Sequence, residues 1–179
     1  MTNLDFLSLG AARAAVARSS LHRRLEDAGA EFAERDGWLV AVRVPGEEDH
    51  VPAIRDVTHL HRVREGAAGA VIEFRAPGRE PVVVERRWNG SLDELLDVSA
   101  GTAALQIEGP GATQVLARMT ELDLSELPVV GQVAHTRAWV IRDGEESYRL
   151  VFGQEFGHYL WEVAVDAAEP LGGGPGGTP

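Results

Sequence analysis

The stretch that decides the fold is Ala103-Ala104-Leu105-Gln106-Ile107-Glu108-Gly109-Pro110-Gly111-Ala112, continued through Met119. Ala103 to Glu108 reads as a strand. Gly109-Pro110 then opens a helix, because proline suits the first helical position, where it has no N–H to lose. Ala112, Val115, Leu116 and Met119 fall on one face of that helix. A strand running directly into an amphipathic helix is the first half of a β-α-β unit.

Working outward, the strands come in hairpins. Ala70 to Arg75 and Pro81 to Arg87 are two strand-like runs around Ala76-Pro77-Gly78-Arg79-Glu80, whose Pro-Gly centre is turn chemistry. Ser91 and Glu94 form a capping-box signature ahead of Leu95 and Leu96. Downstream, Gly131 to Arg142 and Ser147 to Phe152 read as a second hairpin, turned at Asp143-Gly144. A last helix is predicted over Glu155 to Ala168, with Phe156, Tyr159, Leu160, Val163 and Ala167 inward.

Nearer the start, Ser19 or Ser20 is the expected N-cap of a helix carrying Leu21, Leu25 and Ala28, stopped at Gly29. Phe32 then begins a strand, Asp36-Gly37 a tight turn, and Trp38 to Val44 the returning strand. Interleaved helices and paired strands define an α+β class. Its sheet is antiparallel or mixed, built from ferredoxin-like β-α-β units and covered by helices. The domain organisation follows: residues 1–18 are an N-terminal lead-in, 19–170 a single α+β domain, and 171–179 a Gly/Pro tail. That tail carries too few side chains to pack, so it is predicted to be disordered.

With 179 residues the chain fits one domain. Its 17 basic and 28 acidic residues give a net charge of −11, which argues against a nucleic-acid or anionic-membrane surface. The absence of cysteine excludes disulfides, thiolate nucleophiles and cysteine-ligated metals. No run reaches the ~18 apolar residues of a membrane span, and Met1 to Gly10 does not read as a signal peptide. A soluble, cytoplasmic protein is the expectation.

Few constellations suggest chemistry. His59-Leu60-His61, with His50 and Asp56 nearby, is the most metal-like, but it reads first as two surface histidines in a polar segment. Glu47-Glu48-Asp49 reads as a solvated loop. Arg86-Arg87-Trp88 has the residues to grip a carboxylate or a flat ring, yet fits an exposed strand end better. Gly172 to Gly177 lacks the lysine and the following helix of a phosphate loop.

Taken in order, several segments resemble the folate-binding fold of the glycine-cleavage T-protein family. That family includes aminomethyltransferases and the gamma subunit of heterotetrameric sarcosine oxidase, which the chain resembles most. The segments are Ser20-Leu21-His22, Leu25, Gly29-Ala30-Glu31-Phe32 and Gly37-Trp38, then Leu96-Asp97-Val98-Ser99 and Leu105 to Ala112. Thr120-Glu121-Leu122-Asp123-Leu124, Leu127-Pro128 and Tyr148 to Trp161 complete the series. Asp56-Val57-Thr58-His59 competes with Asp97-Val98-Ser99 for the same family element. It has the family's histidine, but no strand and Gly-Pro at the right distance.

The resemblance implies a role in one-carbon metabolism, with two readings. In the first, the chain is a non-catalytic subunit or binding module of a folate-linked, flavin-dependent amine-oxidising complex. Its partners are then flavoprotein oxidoreductase chains, and no cofactor is expected on the chain alone. The departures favour this: the chain is about half the family's usual length, it lacks the C-terminal barrel, and it has one Asp where active members have adjacent aspartates. In the second, it is a small aminomethyltransferase-like enzyme or tetrahydrofolate-binding protein. The ligand candidates are then Asp97 by motif position, Asp143 as the acid near the expected catalytic stretch, and Arg142 and Trp88 for the glutamate tail or pterin. No catalytic residue and no metal ligand is assigned.

Overall fold

A computed structural model describes residues 16–66, 69–74, 80, 82–84 and 95–178. The Ala76–Glu80 turn, the Ser91–Glu94 capping box and Trp88 lie largely or wholly outside the described residues, as does most of the lead-in. In chain order the elements begin with helix α1 (His22–Asp27), β1 (Glu31–Arg35), β2 (Trp38–Arg43), β3 (Ala53–Asp56), β4 (His61–Gly66), β5 (Gly69–Phe74), β6 (Val82–Val84) and β7 (Leu96–Asp97). They continue with β8 (Thr102–Glu108), α2 (Ala112–Met119), β9 (Val129–Val133), β10 (Thr136–Gly144), β11 (Ser147–Gly153), α3 (Gly157–Ala168) and β12 (Gly174–Pro175).

The strand and the helix of the decisive stretch form, but Pro110 lies in the turn before α2 and not at its first position: Gly111, at φ 90°, is the N-cap, and the buried residues of the helix are Ala112, Val115, Leu116 and Met119. The sheet around it has the order β12-β3-β8-β11-β10-β9. β8, β11, β10 and β9 alternate in direction, β3 is antiparallel to β8, and β12 is parallel to β3. Hence β8 and β10 run parallel on either side of β11, with α2 in the connection between them. β11 and β12 also run parallel, connected through α3. These are two split β-α-β crossovers, the ferredoxin-like plan, with β3 inserted and β9 added at the edge.

Period-two alternation sorts the side chains of this sheet into two cores. Ala103, Leu105, Ile107, Val140, Leu150 and Phe152 face α2 and α3, where Leu160, Trp161 and Ala164 meet them. Ala104, Trp139, Ile141 and Val151 face the other way, onto Val63, Ala70 and Ile72 of a second sheet, ordered β6-β5-β4-β7. Each Val, Leu, Ile or Phe side chain among them contributes roughly 1.5–3 kcal/mol on burial. The layers are therefore helices, six-stranded sheet and four-stranded sheet, with the β1–β2 hairpin as a separate two-stranded sheet. Among the described residues no helix is long and apolar enough to cross a membrane.

Several expectations need correction. Neither Ser19 nor Ser20 caps α1: Leu21 holds the N-cap position, and the Ser19 hydroxyl instead accepts the Leu21 N–H at 3.2 Å and donates to Asp56. The run Gly131 to Arg142 is two strands, split at Ala134-His135, both at positive φ (46° and 62°) without a glycine. The following turn is at Glu145-Glu146, since Gly144 pairs with Ser147; Asp143 lies within β10. α3 starts after a 3-10 turn (Gln154–Phe156) and buries Leu160, Trp161, Ala164 and Ala168. Tyr159, placed inward by the spacing, is 44% exposed, whereas Trp161 is 4% exposed. Helix phase here follows the indole, the larger apolar surface.

The Gly/Pro tail departs most from expectation. Gly172, at φ 83°, ends the turn after α3, and Gly174–Pro175 join the six-stranded sheet beside Ala53–Ile54. Gly173, Gly174, Gly176, Gly177 and Thr178 are buried. Hydrogen bonds to the segment's main chain, more than its own side chains, hold it. A composition argument that counts side chains therefore misses it.

Candidate functional site

The two competing Asp-Val elements have the same local geometry. Asp56 ends β3, and its chain crosses through a 3-10 turn (Thr58–Leu60) into β4; Asp97 ends β7 and crosses through another (Ser99–Gly101) into β8. In each, the aspartate Oδ1 accepts the backbone N–H two residues on, at 3.0 Å from Thr58 and 3.0 Å from Ser99. The Thr58 hydroxyl accepts the Ala104 N–H at 3.1 Å, and the Ser99 hydroxyl accepts the Val63 N–H at 2.9 Å. Val57 N–H reaches the Ala104 carbonyl at 3.0 Å, and Val98 N–H the Val63 carbonyl at 2.9 Å. The two crossings are thus related by a local pseudo-two-fold. Two similar motifs in the sequence correspond to two equivalent places in the fold.

Their surroundings differ. The Asp56 carboxylate is withdrawn from solvent beside the Ser19 hydroxyl. That burial raises its pKa above the ordinary 3.8, against the opposing pull of the Ser19 hydroxyl, Thr58 and His22. Asp97 is exposed, and its pKa is lowered, chiefly because the Ser99 hydroxyl donates to it at 2.6 Å. Arg62 stands 3.5 Å from its other oxygen.

Arg142 and Asp143 are consecutive in β10 and point to opposite faces. The Arg142 guanidinium donates to the Leu124 carbonyl at 2.8 Å and lies 5.1 Å from the Tyr148 ring centroid. Asp143 turns into the gap between the sheets and meets Arg149 at 2.8 Å, with side-chain exposures of 3% and 4%. Arg149 lies 4.5 Å over the Phe74 ring of the second sheet. Next to Phe74 in the β4–β5 register is His61, whose Nε2 stands 3.4 Å from the Thr102 hydroxyl. This is a polar seam inside the sandwich, closed to a substrate in the form observed.

The sequence-assigned residues therefore do not converge. Asp97 sits at an edge of the four-stranded sheet, Asp143 between the sheets and Arg142 on the opposite face of its strand; Trp88 lies outside the described residues. His59 and His61 are buried, at 7% and 2% exposure, and not the surface pair expected. No group of three or more metal-ligating side chains occurs among the described residues.

A cleft of about 670 Å³ opens elsewhere, where the end of α2 meets α3 and the β9–β10 turn. Met119, Leu122, Tyr159 and Val163 supply its apolar wall, and Arg118, Glu121 and His135 its polar groups. The volume is in the range of small-molecule sites. Sequence reasoning missed it because the turn at Ala134-His135 carries no glycine to announce it.

The layered fold is a T-protein-like α+β fold, as the sequence resemblance predicts. Comparison with known proteins agrees. The chain is 31% identical over 103 residues to an aminomethyltransferase of Phocaeicola vulgatus, a match spanning 50% of this chain and 28% of that protein. In structure it is similar to a chain of the heterotetrameric sarcosine oxidase from Corynebacterium sp. U-96, solved in complex with pyrrole 2-carboxylate. The TM-score there is 0.53 at 18% identity, covering 87% of this chain and 96% of that one. It is also similar to the glycine cleavage system aminomethyltransferase T of Bartonella henselae, with a TM-score of 0.60 at 17% identity, over 90% of this chain and 60% of that one. No family model matches the chain.

Asp97, Asp143 and Arg142, the ligand candidates, face three separate environments, and Asp143 is paired with Arg149.

Proposed function

We propose that the chain is a non-catalytic subunit or binding module of a folate-linked, flavin-dependent amine-oxidising complex of the sarcosine oxidase kind, acting in one-carbon metabolism beside flavoprotein chains. The observation that carries this reading is one of extent: the likeness takes in 96% of the sarcosine oxidase chain but 60% of aminomethyltransferase T. A chain of this size and shape thus has a counterpart that works inside an assembly. The buried Asp143–Arg149 pair supports the reading, because a carboxylate held in an ion pair between two sheets is not placed to meet a substrate. The test is co-expression with candidate flavoprotein chains of the sarcosine oxidase kind; a stoichiometric complex is expected, and a chain that stays apart from all of them would count against the reading.

A second reading, a small aminomethyltransferase-like enzyme or tetrahydrofolate binder, draws on the sequence likeness to aminomethyltransferases and on the 670 Å³ cleft. Calorimetry with tetrahydrofolate separates the two. Saturable heat with the isolated chain favours the second; no heat at high micromolar protein removes it.

A further inference from the structure

The tail rests in a groove that reads backbone. On one side Gly174 N–H donates to the Pro52 carbonyl at 3.1 Å and Gly176 N–H to the Ile54 carbonyl at 2.9 Å; on the other, Thr178 N–H donates to the Ala41 carbonyl of β2 at 2.8 Å. Other main-chain groups of the segment meet side chains. His50 Nδ1 lies 2.7 Å from the Pro175 carbonyl, Arg55 Nε donates to the Gly177 carbonyl at 2.8 Å, and the Gly177 N–H donates to the Glu47 carboxylate. The Thr178 hydroxyl closes the end of the segment on the Asp56 carbonyl at 2.8 Å.

The groove has no room for most side chains. A Cβ at Gly177 would stand 2.5 Å from the Val42 carbonyl carbon, and one at Gly174 would stand 3.0 Å from the His50 ring. At Gly173 it would collide with the Pro52 carbonyl oxygen and come within 2.9 Å of Ala168. Two of these obstacles are backbone, which cannot swing aside. The low-complexity run is therefore a recognition sequence: its glycines allow the strand to sit at backbone-contact distance. This is strand addition, with main-chain hydrogen bonds giving affinity and lack of space giving selectivity.

We propose that Val42, His50, Pro52 and Arg55 wall a peptide groove selective for a glycine-rich extended strand. Residues 173–178 occupy it in cis, and it binds the same sequence in trans once the tail is displaced. The occupied groove ties the β1–β2 hairpin to the six-stranded sheet.

The full-length Gly177→Val variant tests this. A fluorescently labelled peptide of the sequence Gly172 to Pro179 is expected to bind the variant saturably and the unaltered chain at least ten-fold more weakly, since its own tail competes. The same peptide carrying valine at the Gly177 position is expected to bind neither. A folded variant that ignores the peptide, or one whose tail amides stay as protected as before, would overturn the proposal. If the variant does not fold, hydrogen exchange on the unaltered chain decides. Protection of the Gly174, Gly176 and Thr178 amides comparable to that of β8 is expected; exchange at the rate of an unstructured peptide would refute the groove.

Discussion

Asp143 and Arg149 face each other across the β10–β11 hairpin at 2.8 Å, in the gap between two sheets, with Phe74 of the second sheet under the guanidinium. An acid that the sequence offers as a ligand contact is thereby part of the sandwich interior. Asp97, offered on motif position, is exposed at a sheet edge beside Arg62.

The contrast makes a prediction about stability. Removing one member of a buried pair leaves the other charge uncompensated, at a cost of about 3–5 kcal/mol. Asp143→Ala should lower unfolding stability by that order, and Asp97→Ala by less than about 1 kcal/mol. Urea denaturation followed by tryptophan fluorescence measures both. Equal effects would mean that Asp143 is not committed to Arg149.

Asp56 gives a pH dependence with a definite sign. Burial, the largest influence, raises its folded pKa above the ordinary 3.8. The folded state therefore holds the proton more tightly than the unfolded chain does. The stability this contributes is fully present below the unfolded pKa and is lost as pH rises through the folded value. Asp56→Asn keeps an acceptor for the Thr58 N–H and removes the charge. The stability of the variant relative to the unaltered chain should rise as pH increases across the acid range, as read from denaturation midpoints at successive pH values. A difference that is flat with pH would show that Asp56 titrates normally.

Helix α3 offers a test of phase. Trp161→Ala should cost about 3–5 kcal/mol as a buried indole, whereas Tyr159→Ala, at a site 44% exposed, should cost under about 1 kcal/mol. Thermal denaturation of the two variants distinguishes this placement from one with Tyr159 turned inward, as the spacing suggests.

What the sequence made legible was what local rules govern. Gly109-Pro110 and the 3.6-residue spacing of Ala112, Val115, Leu116 and Met119 located α2 and its buried face, because both signals act within a few residues. Asp36-Gly37 located a hairpin turn, with positive φ at both positions. The T-protein-like architecture was legible from the order of such signals. What stayed hidden depends on distant partners. The Asp143–Arg149 pair needs the β10–β11 register, and the burial of His61 needs Thr102, 41 residues away. The Ala134-His135 turn adopts backbone angles that its residue types disfavour, so tertiary packing and not propensity sets it. The tail was hidden for a different reason. Glycine carries no side chain to signal burial, and its role is read only from the atoms that surround it.

The central claim is that this domain works within an assembly and not as a one-carbon enzyme by itself. The most direct measurement is native mass spectrometry of the chain co-expressed with candidate flavoprotein chains of the sarcosine oxidase kind, beside the chain alone. The account predicts a defined hetero-oligomer carrying flavin, with the isolated chain self-associating. A monodisperse monomer that joins none of those chains and turns over an aminomethyl substrate with tetrahydrofolate would contradict it.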